Sequence, residues 1–298
     1  MANGQWYPAE WPDRIRALAA GELEPATPRQ AATVMLLRDG ESGGGPAVHL
    51  LRRSATMAFA AGAYAYPGGG VDPRDHDASV TWAGPSRSEW AARLGLDEAG
   101  AQAVVCAAVR ETFEETGVLL AGKDPDTVVS DTSGADWEED RTALVAHELS
   151  FGAFLERRGL MLRSDLLAAW ARWITPEFEP RRYDTWFFVA VLPPGQRTIP
   201  QGPEATTGPP GEADLAVWLT PGEAARRYDA GDVVMMPPTI ATLRTLSGYA
   251  TADQALRAAA ERDLAPVLAK ARLEDGTVVL SWLGHDEFTK RVPTGGSI

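Results

Sequence analysis

Apolar and polar positions along this chain fall into short blocks separated by glycine and proline. The blocks carry two different periods. Ala31–Arg38 (AATVMLLR) is a compact apolar run and reads as a buried strand. The turn segment Glu41–Pro46 (ESGGGP) and a second run, Ala47–Arg53 (AVHLLRR), follow it, which predicts a hairpin. Pro67-Gly68-Gly69-Gly70 then breaks the chain. Trp186–Leu192 (WFFVAVL) and Ala213–Leu219 (ADLAVWL) read as further strands on either side of an exposed loop, Gly202–Gly211. The helical signals are of another kind. Asp97 is an N-cap with Glu98 in the first turn, and the helix it opens is expected to run to about Thr116 and stop at Gly117. Shorter helices are expected near Asp13–Ala20, over Ser88–Leu94, from Pro221 to about Tyr228 and, after Pro237-Pro238, over Thr239–Leu246. The tail is read as one amphipathic helix, Asp253–Ala271, and a hairpin around Glu274–Leu283. Strands and helices mix without strict βαβ alternation. The expected class is therefore α+β, an α/β/α sandwich with a mixed central sheet flanked by helices, not a doubly wound Rossmann sheet.

Composition narrows the partners. With 298 residues and 45% hydrophobic content the chain can bury a large core. Its formal charge of −13 argues against general nucleic-acid or membrane-surface binding, which needs a positive field. A small anionic ligand stays open, since it needs only a local basic patch or a bound metal. Cys106 is the single cysteine, so neither an intrachain disulfide nor a cysteine zinc site is expected. His49, His76, His147 and His285 are scattered without ligand spacing. The first residues lack a basic segment followed by an apolar one, no run of about 18 apolar residues occurs, and the last residues, GGSI, are not a peroxisomal address. A cytoplasmic location is the expectation. The sequence leaves a homodimer open.

The chemistry concentrates in Arg110–Val118, RETFEETGV. At about 100° per residue, Val105, Val109, Thr112, Phe113 and Thr116 share one sector of the helix, the expected buried stripe. Glu111, Glu114 and Glu115 gather on the opposite side. These carboxylates repel one another at i,i+3 and i,i+4 spacings and stand at the negative end of the helix dipole. Something cationic is expected to offset both penalties. Arg110 is expected to pair with one carboxylate but not with three, which leaves room for a hard divalent cation, Mg²⁺ or Mn²⁺. The alternative is a solvated acidic face.

Upstream stands Tyr66-Pro67-Gly68-Gly69-Gly70-Val71-Asp72, with Asp75 just after it. Together, Gly69-x5-Asp75 and Arg110-Glu111-x-x-Glu114-Glu115-x-Gly117 resemble the signature box of the Nudix hydrolases, Gly-x5-Glu-x7-Arg-Glu-U-x-Glu-Glu-x-Gly-U, where U is a bulky apolar residue. Three departures stand out. Asp75 replaces a glutamate, Thr112 replaces a bulky apolar residue, and 34 residues separate Asp75 from Arg110 where the pattern has 7, an insertion of 27 at about 76–102. A long insertion here resembles the peroxisomal coenzyme A diphosphatase branch of the family. Leu50–Gly69 (LLRRSATMAFAAGAYAYPGG) is similar to the coenzyme A signature of that branch, with Arg53, Ser54, Met57, Gly62 and Pro67–Gly69 aligned and Ala58 in place of an arginine.

The resemblance implies a Nudix fold over about 28–250, between an irregular lead-in (1–27) and a helical C-terminal extension (251–298). It implies metal-dependent hydrolysis of a diphosphate linkage. Glu114 and Glu115 would hold Mg²⁺ or Mn²⁺ with the carbonyl of Gly68, and Glu111 would ligate a second ion or act as base. Arg110 would orient Glu111, and Asp75 would contribute indirectly. Arg53, Ser54 and Gly69 are the implied substrate contacts. Arg181 and Arg182, paired at a strand entrance, could clamp a phosphate. Glu177, Glu212 and Asp214 are further acids outside the box. Coenzyme A or acyl-coenzyme A, giving 3′,5′-ADP and 4′-phosphopantetheine, is the leading substrate. NADH, ADP-ribose or a nucleotide sugar are alternatives, as is a catalytically silent Nudix-like binding module.

Overall fold

The computed structural model describes residues 8–40, 45–54, 61–200, 213–275 and 277–293. The loop expected at Gly202–Gly211, Met57, Ala58 and Glu212 lie outside them. In chain order the elements are α1 (Trp11–Ala19), β1 (Arg29–Asp39), β2 (Pro46–Arg53), β3 (Ala63–Ala65), β4 (Gly68–Gly70), β5 (Trp82–Ala83), α2 (Arg87–Leu94), α3 (Glu98–Thr116), β6 (Ala121–Gly122), α4 (Ala135–Val145), α5 (Phe151–Arg158), β7 (Met161–Arg163), β8 (Leu167–Ile174), β9 (Tyr183–Val191), β10 (Ala213–Leu219), α6 (Pro221–Ala230), β11 (Val234–Met235), α7 (Pro237–Leu246), α8 (Ala252–Ala258), β12 (Val267–Glu274), β13 (Thr277–Trp282) and β14 (Lys290–Pro293).

The centre is a mixed sheet ordered β11-β3-β2-β1-β9-β8-β12-β13-β14, with β10 beside β2 and β4 beside β1. β1 runs parallel to β9 and antiparallel to β2 in the expected hairpin. Val34, Met35, Leu36 and Leu37 on β1 are all fully buried, as a strand covered on both faces must be. Alternation divides them. Met35 and Leu37 join a core with α1, α6, α7 and α8, while Val34 and Leu36 join one with α2, α3 and α5. The result is the expected α/β/α sandwich. No helix among the described residues is long and apolar enough to cross a membrane.

The inserted segment has its own structure. Ser86 caps α2 through a capping box with Glu89, and α2 packs its Trp90 and Leu94 into the same core as α3. β5 joins β6 and β7 in a small second sheet. The segment thus leaves after Asp75 and returns at the N-cap of α3 without disturbing the central sheet.

The tail departs from expectation. Asp253–Ala271 is not one helix. α8 ends at Ala258, and β12 pairs with β8 and then with β13. A helix running through to Ala271 is barred by Pro266, which removes a backbone donor and disfavours helix at the residue before it. Among the described residues the extension therefore holds more strand than helix, and the hairpin expected around Glu274–Leu283 falls on the antiparallel pair β12 and β13. The lead-in and the extension share the central core. Trp11, Ile15, Leu280, Trp282 and Phe288 are buried in one cluster with Met35 and Trp170.

Candidate active site

α3 forms as its caps dictate. Asp97 accepts from the Gly100 N–H at one end, and Gly117 takes a left-handed φ of 74° at the other. Val105, Val109, Thr112, Phe113 and Thr116 are all buried, as the wheel predicts. Thr112 is tolerated there because its hydroxyl donates to the Ala108 carbonyl at 2.7 Å. The opposite side is covered too, by the segment from Gly68 to Asp75. The acidic sector is therefore not a solvated face.

β4 pairs antiparallel with β1, placing Gly68 opposite Thr33 and Gly69 opposite Ala32. Backbone leaves room for glycine alone at Gly68, and any larger residue at Gly69 would displace the Glu111 carboxylate. A β-carbon at Gly68 would stand 2.4 Å from the Ala32 carbonyl oxygen, and one at Gly69 would stand 2.5 Å from a carboxylate oxygen of Glu111. The Gly68 N–H donates to Glu115 Oε2 at 2.9 Å. Beyond the bend, Pro73–His76 forms one 3₁₀ turn capped reciprocally by Asp72 and Asp75. This turn carries the Asp75 carboxylate, 2% exposed, to Arg110.

Arg110 is the hub. Nε and Nη2 donate to the two oxygens of Asp75, each at 3.0 Å. Nη2 also donates to the Gly70 carbonyl at 3.0 Å. Nη1 donates to Glu111 Oε1 at 2.8 Å and to Glu114 Oε2 at 3.1 Å. All five N–H groups of the guanidinium are used. The expectation that Arg110 could pair with only one carboxylate is corrected: it touches three. Asp75 reaches the arginine from the 3₁₀ turn beyond the glycine bend, and the glutamates reach it from its own helix. From the 3₁₀ turn the shorter Asp75 side chain still reaches the Arg110 guanidinium.

One cation does not neutralise this many acids. Burial raises the Glu111 pKa to about 7, with Glu114 adding to the rise and Arg110 opposing it. Burial likewise raises that of Glu114 against the pull of Arg110. Burial works against the Arg110 charge, but Asp75, Glu111 and Glu114 more than offset it, and its pKa rises. Glu114 Oε1 is buried and has no hydrogen-bond partner. Such an atom is costly unless something else meets it. Among the described residues no group of three His, Cys, Asp or Glu side chains stands as a ready-made metal site. The physical reason is that Arg110 holds Glu111 and Glu114 while the Gly68 amide holds Glu115. The donor set is nonetheless all oxygen, and the unpaired Glu114 oxygen fits a hard divalent cation.

Sequence reasoning missed Arg141. On α4, it donates through Nη1 to the Glu114 main-chain carbonyl at 2.6 Å and so supplies a cation at the negative end of α3. Its Glu138-x-x-Arg141 spacing marks only a local ion pair on α4, and nothing in it points to α3.

The proposed substrate contacts divide. Arg53 closes β2 and Ser54 follows it, both half-buried, and Arg181 is exposed ahead of β9. Arg182 is buried. Its guanidinium donates to the carbonyls of Thr175 at 3.1 Å and Ala26 at 2.7 Å. The expected phosphate clamp of two arginines is thus narrowed to Arg181, since Arg182 ties the lead-in to the sheet. Asp214 pairs with Arg52 at 2.7 Å.

An arginine-centred knot of carboxylates on a helix, docked against a glycine bend in a helix-flanked mixed sheet, is the arrangement of a Nudix-type hydrolase. Comparison with known proteins carries this further. The family model described as the NUDT19 Nudix domain matches residues 97–246. An acyl-coenzyme A diphosphatase NUDT19 from Gallus gallus is 26% identical, over 79% of this chain and 72% of its own length. Its counterpart from Xenopus laevis is 26% identical, over 78% and 68%. Among solved structures, a Nudix hydrolase from Alicyclobacillus acidocaldarius superposes with a TM-score of 0.63 at 28% identity, covering 81% of this chain and 99% of its own. The chain belongs to the Nudix hydrolases, within the family of the NUDT19 Nudix domain, and its site is that of a family that generally uses divalent metal ions.

Proposed function

We propose that this protein hydrolyses the diphosphate linkage of coenzyme A or an acyl-coenzyme A, releasing 3′,5′-ADP and (acyl-)4′-phosphopantetheine. The observation that carries the chemistry is the buried, unpartnered oxygen of Glu114 inside the Arg110 knot. The relatives named acyl-coenzyme A diphosphatase, similar over most of the chain, support the substrate. Glu111, Glu114, Glu115 and the Gly68 carbonyl would hold Mg²⁺ or Mn²⁺. Such an ion neutralises diphosphate charge and acidifies bound water. The chain's own residues do the rest. Arg110 fixes the two glutamates that share its Nη1. Glu111 would either ligate a second ion or take the proton from the attacking water. Arg53, Ser54, Gly69 and Arg181 receive the substrate. A cytosolic setting belongs to the same proposal.

The test is a product screen in ¹⁸O-labelled water with coenzyme A, acyl-coenzyme A, NADH and ADP-ribose, each with Mg²⁺ and with Mn²⁺. Release of 3′,5′-ADP is the expected result. Cleavage of NADH or ADP-ribose with coenzyme A left intact would overturn the substrate. Failure to cleave any of the four would favour a silent module.

A further inference from the structure

We infer that His147 is a substrate-binding residue that presents its Nε2–H to a non-bridging oxygen of the diphosphate at the rim of the carboxylate knot. This rests on the diphosphatase reading above. His147 stands at the C′ position of α4, where its N–H donates to the Leu144 carbonyl and its φ is 58°. Glycine ordinarily occupies that place, because a β-carbon there is strained. Here a histidine takes the strain and is held in it. Arg74 Nη1 donates to the His147 carbonyl at 3.0 Å, and Arg74 Nη2 stands 2.7 Å from His147 Nδ1. A guanidinium offers only donors, so Nδ1 is the acceptor and the ring proton is on Nε2. The Asp72 carboxylate lies 3.6 Å from Nδ1, too far to reverse that assignment. Asp72 instead grips Arg74 through two bonds of 2.9 Å, Nε to Oδ1 and Nη2 to Oδ2.

Both tethers of this imidazole begin in the site. Asp72 and Arg74 belong to the segment between the glycine bend and Asp75. α4, which carries His147, is pinned to the Glu114 carbonyl through Arg141. The ring lies within electrostatic range of Glu114, and its side chain is 67% exposed. The protein thus holds an outward-facing hydrogen-bond donor, in one fixed tautomer, beside a cluster that would receive a densely anionic group. A phosphate oxygen is the acceptor that suits it.

His147→Gly separates binding from structure, because glycine relieves the backbone strain while removing the donor. The expected result is a thermal midpoint equal to or above that of the wild type, with kcat/KM for coenzyme A down about tenfold, mainly through KM. The dissociation constant of α,β-methylene-ADP, measured by calorimetry with Mg²⁺, should rise by a similar factor. His147→Asn, which tolerates the left-handed backbone and keeps an N–H donor, should recover part of the loss. If the wild type cleaves coenzyme A and His147→Gly matches it in KM and in methylene-ADP affinity, His147 is only a helix terminator and the inference fails alone. If the wild type cleaves none of the four screened compounds yet binds methylene-ADP more tightly than His147→Gly does, the hydrolase reading fails and the binding role stands. A wild type that neither cleaves nor binds overturns both.

Discussion

Two buried arginines in this molecule do opposite things. Arg110 faces Asp75, Glu111 and Glu114, and spends one bond on a main-chain carbonyl. Arg182 faces only main-chain carbonyls, those of Thr175 and Ala26. Both are nearly excluded from solvent, so burial does not tell them apart. The partners do. Carbonyls are neutral, and an arginine that satisfies them closes a fold. Carboxylates carry charge that one guanidinium cannot balance, and the imbalance leaves an unpaired oxygen on Glu114. What sets the Arg110 knot apart is buried acidic charge that its one cation leaves unbalanced.

Arg110→Leu should give the largest effect. It would leave three acids buried without their counter-charge, at a cost of about 3–5 kcal/mol in stability by urea unfolding, with hydrolysis abolished. Near-normal stability in that variant would mean that the acids are solvated and that the two arginines do not differ as described. Glu114→Gln and Glu115→Gln come next. Each should lower turnover by about a hundredfold or more while the unfolding midpoint stays within a few degrees. Unchanged turnover in either would remove that residue from the chemistry. Arg182→Met tests the other half of the comparison. Two carbonyls would lose their donor, costing roughly 2 kcal/mol of stability, and kcat/KM should hold at the wild-type value. A tenfold rise in KM would restore Arg182 to the substrate clamp.

A smaller effect sharpens the contrast from a third side. His49, on β2, is buried against Trp218 at a centroid distance of 5.0 Å, with no partner for Nδ1. Burial, helped by Arg38, lowers its pKa from 6.5 to about 4. The unfolded chain binds this proton below about 6.5, and the folded chain only near 4. The contribution to stability is therefore complete above about 6.5 and is lost as the pH falls toward 4, up to about 3 kcal/mol. Urea unfolding at pH 7 and pH 4.5 should show the loss, and His49→Phe should lack most of it. An equal pH slope in that variant would show that other groups carry it.

Much of the site was legible because helix geometry is local. The spacing of Glu111, Glu114 and Glu115 fixes their common sector whatever surrounds them, and Asp97 and Gly117 mark the ends of α3. The hairpin of β1 and β2 and the strand β10 follow from equally local patterns. Arg141 and His147 were not legible, since what matters about each is a partner on another element. The tail failed for a different reason. Its amphipathic pattern suggested a helix, while Pro266 and the open edge of β8 favoured a strand.

By itself, then, the sequence determined which side chains share a helix face, where the glycine bend falls, and the family box they compose. Only the tertiary structure decided that Asp75 would meet Arg110 across 35 positions, that one guanidinium would engage three acids, and that Arg182 would turn to carbonyls. The reason is one of range. Backbone dihedrals fix neighbours within a turn or two. The burial of charge, and which partner answers it, depends on segments that are distant in the chain and meet only when the sheet and its two helical layers close.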